Sequence, residues 1–309
     1  MRVSSDAHRG PAIAHSVGRV ARGHSAHGFS VAAALTLALI ATHWSTVTEL
    51  WSDWSRDPNY SVGQLVPLAA LYLVWDNRRA LRACRVAPCW GWGLLLMTLG
   101  QVARFAGLVF IYQSVERYAL VLTVAGLVLL VAGRELFWRL RWILLFLLLM
   151  VPLPGRVHNA ISGPLQQWAT TSTVFVLEVF GADVSRQGNV LSLSGQTRVG
   201  IAEACSGLRM LTAFVVVAAV FAFLVNRPRW QRALLLASSL PIAIVCNVVR
   251  LVATVVLYAA VSSAIAERFF HDFAGVTMMP VAVALLVAEL WVLSKLVVPE
   301  TRMATGANP

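Results

Sequence analysis

Long apolar runs decide what this chain can fold into. Most of them approach the ~20 residues that a helix needs to cross ~30 Å of hydrocarbon. They cover residues 29–49, 61–75, 91–112, 118–133, 142–153, 206–225, 233–260 and 272–298. A bilayer offers no partners for unpaired backbone groups, so runs without a strand-like alternation must form helices. We therefore predict an all-α integral membrane protein with about eight transmembrane helices.

The charge distribution indicates how the helices are oriented. Only 13% of residues are charged, but the net charge is +11, a value compatible with nucleic-acid binding. The arginines instead lie in short clusters between apolar runs, which is the pattern that sets membrane topology. We expect no nucleic-acid partner, a location in the inner (cytoplasmic) membrane, and cytoplasmic arginine clusters and termini.

The same pattern predicts the domain boundaries. Residues 1–28 lack the apolar core of a signal peptide and are predicted to be a cytoplasmic tail. Residues 29–298 are predicted to form a single transmembrane domain, and 299–309 a short C-terminal tail.

One long connection, residues 154–204, lies between the fifth and sixth segments and is extracytoplasmic by this topology. Within it, residues 163–181 show helical apolar spacing interrupted by Gln166, Gln167 and Glu178, which predicts an interfacial or re-entrant helix. Beyond it, glycines bound an alternating stretch at 190–194, which predicts a small β-hairpin.

Two arginines occur where a membrane helix should be apolar. Arg209 lies in the first turn of the sixth segment, four residues after Cys205. Arg250 interrupts the seventh segment, with Asn247 three residues earlier on the same helix face. Because an arginine within the bilayer costs from about 2.5 to over 10 kcal/mol, such residues are usually paired or functional.

Three separate stretches are predicted to reach one level of the membrane. Arg250 lies 18 residues beyond the cytoplasmic Arg232, or about 27 Å at 1.5 Å per residue. Cys205 and His271 each begin a segment that enters from the outside. We therefore expect these three side chains to share the outer leaflet.

This set of side chains suits acyl transfer. A thiolate is the nucleophile, and its pKa falls near a helix N-terminus or a cationic group such as Arg209. An imidazole can take the thiol proton and return it to a departing amine, while a guanidinium stabilises the oxyanion. We predict Cys205 as nucleophile, His271 as general acid/base and Arg250 as oxyanion or thiolate stabiliser. The supporting candidates are Arg209, Asn247, Asp272 and Glu203.

Some of these residues also have purely structural explanations. Asp272 is equally explained as a first-turn acid of its helix, and Glu203 as a loop acid. The other cysteines, Cys84, Cys89 and Cys246, form no CxxC motif and no metal-ligand pair with histidine, so we expect no metal and no cofactor. Cys246 is predicted to be a small buried hydrophobe.

The three candidate stretches resemble the signature blocks of the exosortase/archaeosortase family. They read "EACSGLRML", "PIAIVCNVVRLVAT" and "HDFAGVTMMPVAVALL", and "DPNYSVGQLVPLAALYLVW" and "MVPLPG" extend the likeness over most of residues 50–295. The resemblance implies about eight membrane helices and a catalytic Cys, Arg and His on the extracytoplasmic side, at Cys205, Arg250 and His271. Val62 stands where family members often have histidine.

The resemblance also implies an activity and partners. Members are thought to cleave exported proteins at a C-terminal sorting signal, known as PEP-CTERM in bacteria, made of a short motif, a membrane helix and a basic tail. They then transfer the new C-terminus to a cell-surface acceptor, often in organisms that make exopolysaccharide. The acceptor itself is not indicated by the sequence.

Two other functions remain open at this point. One is a non-enzymatic transporter or assembly subunit for envelope polysaccharide or lipid, in which Arg209 and Arg250 bind lipid phosphates. The other is thiol–disulfide exchange, which is weakly supported because Cys205 and Cys246 lie on different predicted helices and at different depths.

Overall fold

The computed structural model describes residues 30–57, 59–188, 190–193, 197–200, 208–225, 227–260 and 274–296. These ranges are mostly helical, which confirms the predicted helical character. The helices are α1 (Ser30–Thr42), α2 (Trp44–Arg56), α3 (Leu65–Asp76), α4 (Arg78–Arg82), α5 (Trp90–Phe110), α6 (Gln113–Val131), α7 (Arg134–Phe146), α8 (Gly155–Val179), α9 (Leu208–Leu224), α10 (Arg229–Ala260) and α11 (Ala274–Leu296). Short 3₁₀ turns cover Ser61–Gln64 and Leu147–Met150, and three strands follow α8, namely β1 (Val184–Gln187), β2 (Val190–Leu193) and β3 (Thr197–Gly200).

The helices differ in their ability to cross a membrane. Among the described residues, three are long and apolar enough, namely α5, α6 and α10. The count rises to five if α1 with α2, and Arg134–Met150 with α8, each form one bent span. Shorter apolar helices cover Ser61–Asp76, Leu208–Leu224 and Val283–Leu293. The chain is therefore a multi-pass membrane protein, while the number of eight transmembrane helices stays a prediction.

The chain divides into two compact units that alternate along the sequence. One unit is formed within Met1–Trp51 and Asn77–Leu144, and the other within Ser52–Asp76 and Leu145–Pro309. The predicted tails, 1–28 and 299–309, lie outside the described residues, so the predicted domain boundaries stay predictions.

In the first unit, α5 and α6 form an antiparallel hairpin with a glycine seam. Three buried glycines recur every seven residues along α5, and each faces an α6 residue that also recurs every seven. In order, Gly93, Gly100 and Gly107 face Leu130, Thr123 and Glu116. A seven-residue period keeps one seam in contact along both helices, and small residues in it let membrane helices approach closely.

This seam predicts a position-specific cost of adding a methyl group. A Cβ at Gly93 would lie 2.6 Å from the Leu130 backbone, whereas nothing lies within 4 Å of a Cβ at Gly91. We expect Gly93→Ala to lower the free energy of unfolding by about 1–3 kcal/mol because α6 must move away. Gly91→Ala, in the same helical turn, should leave it unchanged or slightly higher. Thermal unfolding in detergent measures both, and equal melting temperatures would contradict the close seam.

In the second unit, α9 and α10 pack as antiparallel neighbours. Met210 and Phe214 contact Ala243 and Cys246. Further along α9, Ala218 and Ala222 instead pack against Leu235. Later residues of α9 thus meet earlier residues of α10, as in an antiparallel pair. Cys246 is only 5% exposed, which confirms its prediction as a small buried hydrophobe.

A small antiparallel sheet follows α8, in the order β1-β2-β3. Strands β1 and β2 form the predicted hairpin, and Gly188 in its turn has a φ of +64°, which favours glycine. The sequence pattern did not predict β3. The Leu191 side chain is 1% exposed and packs between Ala169 of α8 and Leu251 of α10. The interfacial or re-entrant character predicted for 163–181 is not confirmed, although α8 covers most of that stretch.

Candidate functional site

The C-terminal half of α10 carries a paired arginine and amide. Arg250 is half-buried, and its Nη2–H donates a hydrogen bond of 2.9 Å to Oδ1 of Asn247, which is 3% exposed. One turn of helix brings these positions together, as the spacing of three residues predicts. The Thr254 hydroxyl donates to the Arg250 carbonyl at 2.7 Å. The guanidinium is thus oriented by a buried amide of its own helix.

The packing of α9 against α10 shows which end of α9 lies beside Arg250. Cys246 packs in one cluster with Met210 and Phe214, which lie in the first and second turns of α9. Because the helices are antiparallel, Arg250, one turn beyond Cys246, lies level with the beginning of α9 at Leu208. The predicted nucleophile, Cys205, precedes Leu208 by three residues in the sequence.

The small sheet lies beside this end of α10. Leu191 of β2 packs in one cluster with Leu251, which directly follows Arg250, and with Val255, five positions after it. The 32 residues of α10 span roughly 48 Å, more than the ~30 Å hydrocarbon core, so part of this helix must extend beyond it. Since α10 begins in an arginine-rich segment, a position for Arg250 near the opposite interface is consistent with its length.

An apolar crevice leads to the same amide. It is lined by Leu165, Ala169, Leu211, Ala243, Ile244 and Asn247, which belong to α8, α9 and α10. Asn247 is the one polar side chain in this lining. An apolar chain placed in the crevice would therefore meet a hydrogen-bonding group only next to Arg250.

Of the remaining predicted site residues, the structure describes only Arg209. Arg209 lies in the first turn of α9 with an exposed side chain. Cys205, His271, Asp272 and Glu203 lie outside the described residues, so their roles stay predictions. Within the described ranges no three His, Cys, Asp or Glu side chains cluster as metal ligands would, but this does not test the expectation of no metal.

Sequence reasoning missed a junction in the second unit, where residues 54–63 meet residues 150–158. The Tyr60 hydroxyl and His158 Nδ1 are 2.9 Å apart, and the Trp54 Nε1–H donates to the Met150 carbonyl at 2.9 Å. A Cβ at Gly63 would lie 2.4 Å from Trp54 Nε1, so the turn requires glycine there. The partners are 96 and 98 residues apart, and no periodicity links them.

The turn that carries this junction packs on α9. Val62 in this turn is 6% exposed and belongs to the core. The position therefore accommodates an apolar side chain.

Comparison with known proteins gives one match. The sequence profile of a family described as transmembrane exosortase matches residues 54–288, roughly three quarters of the chain. No curated protein and no solved structure matches the chain significantly.

Proposed function

Because the chain belongs to the transmembrane exosortase family, we propose that it is a membrane-embedded cysteine protease or transpeptidase. Its substrates are exported proteins that end in a short motif, a membrane helix and a basic tail. The enzyme cleaves this C-terminal sorting signal and transfers the new C-terminus to a surface acceptor. It works in the inner membrane, with its active site on the extracytoplasmic side.

One observation carries the proposal. Arg250 is held by Asn247 at the level where α9 begins, and Cys205 comes three residues before that helix. Three residues span at most about 10 Å, so the thiol is within reach of the level of the guanidinium. A half-buried guanidinium that is already oriented by a buried amide is suited to stabilising the negative charge of an oxyanion.

The proposed chemistry runs through a thioester. The imidazole of His271 takes the proton of the Cys205 thiol, and the thiolate attacks the scissile carbonyl carbon. The carbonyl oxygen gains the negative charge, which the Arg250 guanidinium stabilises. When the carbonyl re-forms, the C–N bond breaks and the imidazolium protonates the leaving amine. The acceptor's nucleophilic group, or water, then attacks the thioester and releases the thiol.

The supporting residues act on these groups. Asn247 orients Arg250 through the observed hydrogen bond. Arg209 adds positive charge one turn from the thiol and favours the thiolate. Asp272 orients the imidazole of His271, and Glu203, two residues before Cys205 in the sequence, is a further supporting candidate. The apolar crevice beside Asn247 offers a contact for one apolar side chain of the substrate's membrane helix.

Co-expression with a substrate tests this proposal. A tagged exported protein with the three-part C-terminal signal is produced with and without the chain in a host that lacks a similar enzyme. We expect a shortened product, with a defined new C-terminus, only when the chain is present. An identical full-length product in both strains, with both proteins inserted in the membrane, would overturn the proposal.

A second candidate function rests on the exposure of Arg209. An exposed and a half-buried arginine at one end of the α9–α10 pair would suit lipid phosphates in a non-enzymatic transporter or assembly subunit. That function requires positive charge rather than a nucleophile. It therefore predicts that cysteine is dispensable and that lysine partly replaces Arg250.

A further inference from the structure

The first unit buries a set of polar side chains that the proposed function does not use. His43, in the break before α2, and Thr46, in the first turn of α2, are both 0% exposed and lie one turn apart. Gln101 and Arg104 face them from α5, and Thr123 of α6 is 1% exposed. Buried polar groups inside membrane helices are costly, so each needs a partner or a function.

A chain of hydrogen bonds fixes the protonation of His43. The Thr123 hydroxyl donates to the Ala119 carbonyl at 2.8 Å, so its oxygen is left to accept from Gln101 Nε2 at 3.4 Å. The other N–H of that amide points to His43 Nε2 at 3.2 Å. Because Nε2 accepts, the proton of a neutral imidazole must be on Nδ1. His43 therefore presents a buried N–H donor at Nδ1.

Two other side chains of this set also carry a buried polar atom that has no hydrogen-bond partner. Among the described residues, His43 Nδ1, Thr46 Oγ1 and Arg104 Nε are buried without a hydrogen-bond partner. Arg104 lies close enough to His43 to act on it electrostatically. Thr46 is one turn from His43, and Arg104 is one turn from Gln101, the hydrogen-bond partner of His43. This region thus holds two N–H donors, one of them on a guanidinium, and a hydroxyl, and the described part of the chain supplies no acceptor to them.

A carboxylate lies within electrostatic reach of Arg104, but no acid of the described ranges forms an ion pair with it. Glu116 lies within electrostatic reach of Arg104, Arg117 and Glu49. No ion pair within 4.0 Å joins Arg104 to an acid of the described ranges. Glu116 is placed in the seam against Gly107, where its Cγ lies 2.7 Å from a Cβ at that glycine. Its side chain is therefore used for the packing of α5 on α6.

We propose that His43, Thr46 and Arg104 form a binding site for a phosphate group, carried by a membrane lipid or free in solution. The donors match a phosphate, which offers several acceptor oxygens and a charge that a guanidinium complements. Arg104 lies six residues, or about 9 Å, from the end of α5 at Phe110. That depth is within reach of a lipid headgroup at the outer interface by the predicted topology. The proposed site uses none of Cys205, Arg250 and His271.

Lipid titration of the full-length purified chain tests this site. The delipidated protein is titrated in detergent with phosphatidylglycerol, with diacylglycerol of the same acyl chains, or with inorganic phosphate competing against phosphatidylglycerol. Native mass spectrometry counts the bound lipid. We expect tight binding of one phosphatidylglycerol and no comparable binding of diacylglycerol.

Two variants and a matched control locate the binding. Arg104→Gln should weaken phosphatidylglycerol binding by about ten- to a hundredfold, since a charged hydrogen-bond donor is lost. Thr46→Val has nearly the same shape and should weaken it by about two- to tenfold, so it serves if Arg104→Gln fails to fold. Arg79→Gln, the same change at an exposed position of α4, should leave binding unchanged.

The outcomes separate the sources of the phosphate. Displacement of phosphatidylglycerol by millimolar inorganic phosphate would support a site for free phosphate, and its absence would support a lipid headgroup. Equal binding of phosphatidylglycerol and diacylglycerol would overturn the proposal. So would wild-type binding in both Arg104→Gln and Thr46→Val, because the buried donors would then be served by water alone.

Discussion

Cys205→Ala is expected to abolish processing of a co-expressed substrate, with a loss of about 10⁴-fold or more. Alanine cannot form the thioester, and no other described cysteine replaces it, since Cys246 is buried between α9 and α10. The measurement is the ratio of shortened to full-length tagged substrate over time, with the amount of membrane-inserted enzyme determined in the same samples.

Cys246→Ala is the matched control for this change. It removes a thiol from the same unit, one turn from Arg250, and it should retain near-wild-type processing because Cys246 only fills space. If the single variants Cys246→Ala and Cys205→Ala both lose activity, thiol–disulfide exchange would be favoured instead. Full processing by Cys205→Ala would contradict the cysteine mechanism.

Arg250→Lys is expected to reduce processing by about a hundredfold while the protein still inserts. Lysine keeps the charge but not the planar fork, so the bond to Asn247 Oδ1 and the donation to the oxyanion cannot both be kept. The reduction should appear in kcat, because the oxyanion forms only in the transition state. Single-turnover rates with saturating enzyme measure it.

Arg209→Lys provides the comparison at the neighbouring arginine. Its side chain is exposed in the first turn of α9, so lysine can supply the same charge and processing should fall less than about tenfold. Equal, small losses in Arg250→Lys and Arg209→Lys would indicate that only charge matters, as in the non-enzymatic alternative.

The elements that rest on local patterns were predictable from the sequence. The long apolar runs predicted membrane-spanning helices, because a helix satisfies its own backbone hydrogen bonds within the bilayer. The alternation at 190–194 next to glycines gave the hairpin of β1 and β2. The three-residue spacing of Asn247 and Arg250 gave their contact, since such positions adjoin on any helix.

Features that depend on distant parts of the chain were not predictable in this way. The run at 29–49 is continuous in hydropathy, but the structure divides it near His43 into α1 and α2, which changes the count of spans. The hydrogen bond of His43 to Gln101 joins residues 58 positions apart. The seven-residue glycine spacing is present in the sequence, but its meaning depends on the partner residues of α6.

The central claim, that the thiol and the imidazole meet beside Arg250, is tested most directly by chemical cross-linking. His271→Cys is introduced into a chain whose other cysteines, Cys84, Cys89 and Cys246, are alanine, and membranes are treated with a short bifunctional thiol reagent. Mass spectrometry of the digest should show a 205–271 link in high yield. Met278→Cys, seven residues later in the sequence and in the second turn of α11, should give little. Failure to link Cys205 to position 271, while both thiols react with a monofunctional reagent, would contradict the account.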